Sequence, residues 1–229
     1  MTDQAVPSSA LWIDVIGRDQ APRLYGKRAF DLTFALLCLV LLCPVLLVIA
    51  VLVGVSSPGG PLFHQTRLGR YGRPFTIFKF RTMRTGCSDE IHRDYVQNQF
   101  RSPTPVPGAE HGYFKIEHDP RVTRFGRLLR RTSLDELPQL FNVIRGDMSL
   151  VGPRPALPWE AELFGPAHHA RFLLPPGITG LWQVSGRSRL TIRTGLELDL
   201  EYVRNRTLLM DLVILLKTIP AVLSAKGAP

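Results

Sequence analysis

LTFALLCLVLLCPVLLVIAVLVGV, the stretch Leu32–Val55, decides the fold of this chain because its 24 positions contain no charged residue. A helix of this length is about 36 Å long, enough to cross the roughly 30 Å hydrocarbon core of a bilayer. The stretch starts too late and is too long for the apolar core of a cleavable signal peptide. We therefore predict a membrane helix.

A proline lies in the middle of this stretch. Pro44 lacks a backbone N–H and its ring crowds the preceding turn, so we predict a kink or break at Cys43-Pro44. Basic residues flank both ends, namely Arg18, Arg23, Lys27 and Arg28 before it and Arg67, Arg70, Arg73, Lys79, Arg81 and Arg84 after it. Positive residues mark the cytoplasmic side. Both ends are thus predicted on that side, which makes the helix re-entrant; a simple spanning helix is the alternative.

Size and charge limit the remaining possibilities. A chain of 229 residues is long enough for one substantial domain. We divide it into an N-terminal lead-in (1–26), a re-entrant membrane helix (27–56) and a cytosolic and interfacial domain (57–229). The formal charge of +9 favours an anionic partner: nucleic acid, an anionic membrane surface or a phosphorylated small molecule. Three cysteines form no disulfide framework, which indicates a reducing, cytoplasmic environment.

Local patterns predict an α/β fold that is mostly helical. Residues 61–83 form a β-hairpin around a glycine-rich turn, with Lys79 and Arg81 on one face. Residues 85–113 are polar and proline-containing, which predicts an irregular surface loop. Residues 118–131 form a helix with an arginine stripe, and residues 208–216 form an amphipathic helix at the membrane interface.

TSLDELPQLFNVIRGDMSLVGPRP, Thr132–Pro155, carries the most chemistry. Ser133 and Glu136 have the spacing of a capping box, so Asp135 and Glu136 are open to an ordinary interpretation as acids in the first turn of a helix. Arginines around the pair favour another interpretation, because a carboxylate beside arginines stays ionised and can act as a nucleophile or bind a divalent cation. The pattern is typical of chemistry on a phosphate.

Several segments together resemble a known family. They are FKFRTM at 78–83, DPRVTRFGRLLRRTSLDELPQLFNVIRGDMSLVGPRP at 119–155 and GITGLWQVSGR at 177–187. They are similar to the membrane-associated bacterial sugar transferases, the monotopic polyprenyl-phosphate phosphoglycosyl transferases, in their minimal single-domain form. The resemblance implies transfer of a sugar 1-phosphate from a UDP-sugar to undecaprenyl phosphate with release of UMP, as the first membrane step of exopolysaccharide or glycoconjugate synthesis.

The resemblance also implies residue roles. Asp135 would attack the sugar-bearing phosphorus and form a covalent phosphosugar intermediate, and Glu136 would help to hold Mg²⁺. The candidates for binding substrate and phosphate are Arg130, Arg154, Lys79, Arg81, Gln183 and Arg187. A structural turn packed by Trp182 is an equal alternative for the 177–187 segment. The family breaks its re-entrant helix at a Ser-Pro pair, where this chain has Cys43-Pro44, and a thiol is a poorer hydrogen-bond partner than a hydroxyl.

The predicted location is the cytoplasmic face of the bacterial inner membrane. The expected partners are the UDP-sugar, undecaprenyl phosphate and membrane lipid, with a homodimer left open as an assembly. Nucleic acid is not expected, because the arginines cluster with acids and no nucleic-acid-binding motif is recognisable. The alternative function is a non-catalytic membrane-anchored adaptor that binds anionic lipid or nucleic acid. Glucose, galactose and N-acetylated sugars all remain open.

Overall fold

A computed structural model describes residues 25–56, 58–86, 90–101, 119–186 and 190–223. Within these ranges the chain forms eight α-helices: α1 Tyr25–Ser56, α2 Glu90–Arg101, α3 Arg124–Thr132, α4 Gln139–Arg145, α5 Pro158–Ala161, α6 Leu181–Ser185, α7 Ile192–Asn205 and α8 Leu208–Leu223. Two small sheets pair β1 Leu62–Leu68 with β2 Pro74–Phe80, and β3 Ser149–Val151 with β4 Gly177–Thr179. The prediction of a mostly helical α/β fold with a short hairpin is confirmed.

The long apolar helix α1 is the one helix among the described residues that is long and apolar enough to cross a membrane. Helical structure continues through Cys43 and Pro44 without a gap. The helix is therefore not interrupted at Pro44, as the predicted break would require. If the chain returns to the side of the membrane from which it entered, it must do so by a bend within a continuous helix. Large apolar side chains on α1 are exposed, with Val40 at 73% and Val55 at 78%. Such a surface is typical of contact with a membrane rather than with water.

The N-terminal end of α1 is fixed to the rest of the protein by buried polar contacts. Lys27 Nζ donates to Asp211 Oδ2 of α8 at 2.7 Å, and both side chains are buried. Tyr202 donates its hydroxyl hydrogen to Asp211 Oδ1 at 2.6 Å. Asp31, one turn after Lys27, accepts from Ser149 Oγ at 2.7 Å. These carboxylates compensate the buried ammonium, whose desolvation would otherwise be costly.

The C-terminal half of α1 packs against the same domain. Ile49 and Val53 share an apolar cluster with Phe80 of β2 and Leu129 of α3. In a straight helix, Lys27 and Val53 would lie about 39 Å apart along the axis. Both ends of α1 nevertheless lie against one small domain. This arrangement is relevant to whether the helix crosses the bilayer.

The hairpin presents one candidate site residue directly. β1 and β2 are antiparallel, with Phe63 opposite Lys79. The turn passes through a short 3₁₀ segment, Arg70–Gly72, in which Tyr71 takes the left-handed value φ 60°. Lys79 belongs to β2, whereas Arg81 lies just after its end.

Two sequence predictions need correction. The surface loop predicted for 85–113 contains helix α2, in which Val96 is fully buried and the ring of Phe100 packs at a tilt on that of Phe164, 5.9 Å between centroids; residues 102–118 lie outside the described residues. The helix predicted from residue 118 begins later, as α3, with Thr123 as its N-cap accepting from Gly126 N at 2.9 Å. Gly126 is required there, since a Cβ would lie 2.1 Å from the carbonyl oxygen of Thr82.

The predicted C-terminal amphipathic helix is present and extends further than expected, as α8. Its buried side includes Asp211 and Ile214. Its other side exposes large apolar side chains, namely Leu208, Leu209, Leu212, Val213, Leu216 and Ile219. An exposed apolar face of this kind is suited to a membrane interface.

Candidate active site

The acid pair lies in a 3₁₀ turn, Leu134–Glu136, between α3 and α4. The predicted capping box is wrong, because the Ser133 side chain makes no cap hydrogen bond. Ser133 instead adopts the left-handed conformation (φ 56°, ψ 16°) and its N–H donates to the carbonyls of Arg130 and Leu129, which ends α3. Left-handed residues other than glycine are uncommon and concentrate at functional sites. The reversal at Ser133 sets the acid pair directly after the arginines of α3.

Asp135 is buried, with 9% of its surface exposed, and faces the guanidinium of Arg130. Arg130 is fixed in turn, since its Nε donates to Thr82 Oγ1 at 3.0 Å. Burial lowers the pKa of Arg130, and the charges of Asp135 and Asp119 oppose that change. The guanidinium remains protonated at any physiological pH. A buried carboxylate beside a fixed cation stays ionised, as a nucleophile must.

Asp119 and Arg121 form a second ion pair beside Arg130. Arg121 binds Asp119 through two parallel hydrogen bonds, Nε to Oδ1 at 2.9 Å and Nη2 to Oδ2 at 2.8 Å. Burial acts to raise the pKa of Asp119, but the bonds from Arg121 outweigh it and lower that pKa overall. Sequence reasoning missed Asp119 and Thr82 as site residues. The available signal was an acid at the start of an arginine-rich segment.

Glu136 points to the hairpin. Lys79 Nζ of β2 donates to Glu136 Oε1 at 2.8 Å, and both side chains are partly exposed. The structure thus brings Lys79 to the acid pair. Arg81 bonds elsewhere: its guanidinium donates to the carbonyl oxygens of Pro58 and Leu62, each at 3.2 Å. The two basic residues predicted on one face therefore have different surroundings, the acid pair for Lys79 and the start of the hairpin for Arg81.

Arg154 lies in the loop after β3, beside β4. Gly152 N donates to Thr179 O at 3.0 Å, and a Cβ on Gly177 would lie 2.1 Å from Gly152 N, so the two segments approach too closely for a side chain. Gln183 lies at the same place, because its Oε1 and the carbonyl oxygen of Gly152 would both contact a Cβ on Gly180. Arg187 lies outside the described residues. Trp182 is buried and packs on Gly195, so its own role is structural.

The acid pair suits a divalent cation. In the part of the chain that the structure describes, no group of three or more His, Cys, Asp or Glu side chains is arranged to hold a metal. Mg²⁺ does not need such a group, because it commonly binds through one or two carboxylates, several waters and substrate phosphate oxygens. Glu136, which is partly exposed and adjacent to Asp135, offers such a carboxylate, and the residues present therefore fit the expected cofactor.

A sequence model of the family described as "Bacterial sugar transferase" matches residues 22–225 of this chain. The match includes every described helix and strand. The chain belongs to the bacterial sugar transferase family. Family membership therefore covers the long apolar helix, the hairpin that carries Lys79 and the turn that carries the acid pair. The family resemblance read from the sequence is confirmed.

Relatives among characterised sugar transferases agree. The chain is 43% identical over 204 residues to exopolysaccharide production protein ExoY of Sinorhizobium fredii, covering 89% of this chain and 88% of that protein. It is 43% identical over 204 residues to undecaprenyl-phosphate galactose phosphotransferase of Salmonella typhimurium, covering 88% and 41%. It is 40% identical over 210 residues to UDP-glucose:undecaprenyl-phosphate glucose-1-phosphate transferase of Caulobacter vibrioides, covering 88% and 71%. These similarities confirm the prediction of a phosphoglycosyl transferase.

Proposed function

We propose that this sugar transferase moves a hexose 1-phosphate from a UDP-sugar to undecaprenyl phosphate and releases UMP. The observation that carries the proposal is the acid pair, in which Asp135 is buried beside Arg130 and Glu136 is bound by Lys79. Carboxylates held among cations suit the attack on a phosphate and the neutralisation of its charge. The names of the relatives, for galactose and for glucose, support a hexose as the sugar.

The reaction would proceed in two displacements at one phosphorus. A carboxylate oxygen of Asp135 attacks the phosphorus that bears the sugar, the bond from that phosphorus to the bridging oxygen breaks, and UMP leaves with that oxygen. The product is an acyl phosphate, in which the Asp135 carboxylate is joined to the sugar phosphate. An oxygen of undecaprenyl phosphate then attacks the same phosphorus, and the Asp135 carboxylate leaves unchanged. Splitting the transfer in this way allows the water-soluble donor and the lipid acceptor to use one site in turn.

Other residues would hold the phosphates. Arg130 lies beside Asp135, and Arg154 is a planar bidentate donor suited to phosphate oxygens. Lys79 would neutralise charge near Glu136. Glu136 would help to hold Mg²⁺, which when bound neutralises the diphosphate and stabilises the departing UMP. Gln183, beside the Arg154 loop, remains a candidate for the nucleotide end.

We further propose that α1 enters the membrane and returns to the cytoplasmic face. The contacts of Lys27 and Val53 with one domain support this topology, because a spanning helix would place its two ends on opposite sides of the bilayer. The bend would be centred on Pro44, and the basic flanks favour the cytoplasmic side. The exposed apolar face of α8 would lie at the interface. The acid pair would then be at the level of the lipid phosphate.

Topology gives a direct test. Reporter tags placed at residue 1 and at residue 229 are each expected to be shielded from a membrane-impermeant reagent added to spheroplasts, and to react once the membrane is permeabilised. Reaction after permeabilisation is the control that both tags are reachable. Reaction of one tag but not the other in intact spheroplasts would show a spanning helix and contradict the re-entrant topology.

The activity is tested with a panel of UDP-sugars. Purified protein in detergent, with undecaprenyl phosphate and Mg²⁺, is expected to release UMP from UDP-glucose or UDP-galactose faster than from the N-acetylated UDP-sugars. Release should depend on the lipid phosphate beyond the first turnover. Absence of UMP release with every donor, together with binding to anionic vesicles, would favour the adaptor instead.

A further inference from the structure

We propose that Arg171 and Asp199 are positioning residues that fix the backbone of Arg154 and so aim its guanidinium at a substrate phosphate. The inference rests on the proposed function, in which Arg154 binds phosphate. Neither Arg171 nor Asp199 would touch the substrate. They would act through the loop Pro153–Ala156, which is defined here as the Arg154 loop.

The backbone of the Arg154 loop is held at four consecutive carbonyls by donors from β4, from residue 171 and, twice, from β1. Pro153 O accepts from Gly177 N at 2.9 Å, and Arg154 O accepts from Arg171 Nη2 at 2.7 Å. Pro155 O accepts from Arg67 Nη1 at 3.2 Å, and Ala156 O accepts from Leu68 N at 2.8 Å. Prolines at 153 and 155 fix two φ angles as well. A segment tied in this way cannot turn about its own axis, so the direction of the Cα–Cβ bond of Arg154 is set.

Arg171 makes the contact at Arg154 itself. Its side chain is only 3% exposed, and Nη2 also binds Asp199 Oδ2 of α7. Two rings confine the group further, with Phe164 at 5.0 Å and Phe172 at 5.8 Å from the guanidinium carbon to the ring centroid. One nitrogen thereby joins the Asp199 carboxylate to the Arg154 carbonyl.

Asp199, the partner of Arg171, also interacts with the Arg154 loop. Its carboxylate is buried, which raises its pKa, and the Arg171 guanidinium, the backbone amide of Arg154 and the charge of Arg154 act against that rise. The carbonyl of Arg154 is thus bound to Arg171, and its amide is directed at the partner of Arg171. The ion pair and the Arg154 peptide form one buried polar unit.

A buried ion pair is an expensive way to fill a core. Taking both charges out of water costs free energy that apolar side chains of similar volume avoid, so such a pair is weak evidence for stability. The ion pair lies beside a buried apolar cluster that includes Phe164, Phe172 and Leu196. Apolar side chains in place of the pair would therefore pack against apolar neighbours. The polar pair supplies something those side chains cannot, a donor and an acceptor for the Arg154 backbone. Positioning accounts for it better than packing.

The test is a double-mutant cycle on UMP release. Arg171→Lys keeps the charge opposite Asp199 but loses the planar fork, and we expect kcat/KM to fall about tenfold, mainly through a higher KM for the UDP-sugar. Arg154→Ala alone should lower kcat/KM about a hundredfold. If Arg171 acts through Arg154, the double variant should be no worse than Arg154→Ala alone. Arg193→Lys, the same change at an exposed position of α7, is the matched control and should leave all constants unchanged.

Other outcomes separate the inference from the function on which it rests. If the two losses multiply to about a thousandfold in the double variant, Arg171 acts independently of Arg154 and the inference is overturned. If Arg154→Ala keeps normal kcat/KM, the assignment of Arg154 to phosphate fails and the inference falls with it. Should Arg171→Lys not fold, Asp199→Asn replaces it in the same cycle, with the same outcomes.

Discussion

Asp135→Asn is expected to abolish turnover, lowering the rate of UMP release by at least about a thousandfold. An amide has no charge and is a far weaker nucleophile than a carboxylate, so neither the attack on phosphorus nor the covalent intermediate can form. Asparagine has nearly the same volume as aspartate and fits the buried position of Asp135. The fold should therefore survive, with Arg130 losing one of the two carboxylates that face it.

The intermediate can be observed directly. Incubating the wild-type protein with a UDP-hexose, without lipid acceptor, should add the mass of one hexose phosphate, and peptide mapping should locate it at Asp135. The Asp135→Asn variant should show no such mass. Asp94→Asn, the same change at an exposed position of α2, is the control and should form the adduct normally. A normal rate of UMP release in Asp135→Asn would exclude Asp135 as the nucleophile.

The sequence was sufficient where a pattern is local. An uncharged apolar stretch predicted α1, and the alternation around a glycine-rich turn predicted the hairpin, because both signals depend only on neighbours along the chain. The adjacency of Asp135 and Glu136 is itself part of the sequence. Their surroundings are not, since Arg130 reaches Thr82 across 48 positions and Lys79 reaches Glu136 across 57.

The wrong predictions have tertiary causes. Ser133 has the spacing of a cap, but it adopts a left-handed conformation in which its N–H closes the end of α3 and its side chain makes no cap hydrogen bond to the 3₁₀ turn that follows. The arginine stripe predicted from residue 121 is shorter than expected because Arg121 precedes α3 and binds Asp119. The composition of residues 85–113 predicted a loop because α2 has few apolar residues. The fold shows that one of them, Val96, is fully buried and anchors the helix to the domain. Propensity is a weak prior in such cases.

Two of the buried ion pairs among the described residues join residues that are far apart in sequence. Lys27 meets Asp211 across 184 positions, and Arg171 meets Asp199 across 28. Sequence analysis placed Lys27 among the flanking charges and gave Arg171 and Asp199 no role. A charged residue is expected from the sequence to be exposed to water, because most charged residues are. Which few are buried depends on the tertiary fold. Both pairs depend on tertiary packing, of α1 on α8 for Lys27 and of the 3₁₀ segment Pro166–Leu173 on α7 for Arg171.

Glu136→Gln is expected to lower the rate of UMP release by about a hundredfold, a smaller loss than that of Asp135→Asn. Glutamine keeps an oxygen that can accept from Lys79, so the hairpin contact should survive, whereas the negative charge that would help to hold Mg²⁺ is lost. The Mg²⁺ concentration for half-maximal rate should rise, and Glu136→Asp, which keeps the charge, should retain more activity.

The phosphosugar adduct separates the two acids. In Glu136→Gln it should still form on Asp135, only more slowly, because the nucleophile is intact while the departing UMP is less well stabilised. In Asp135→Asn it should never form. An unchanged rate and Mg²⁺ requirement in Glu136→Gln would remove Glu136 from the metal site. A complete loss of the adduct would instead assign Glu136 to the first displacement itself, so the order of the two losses decides how the pair divides its work.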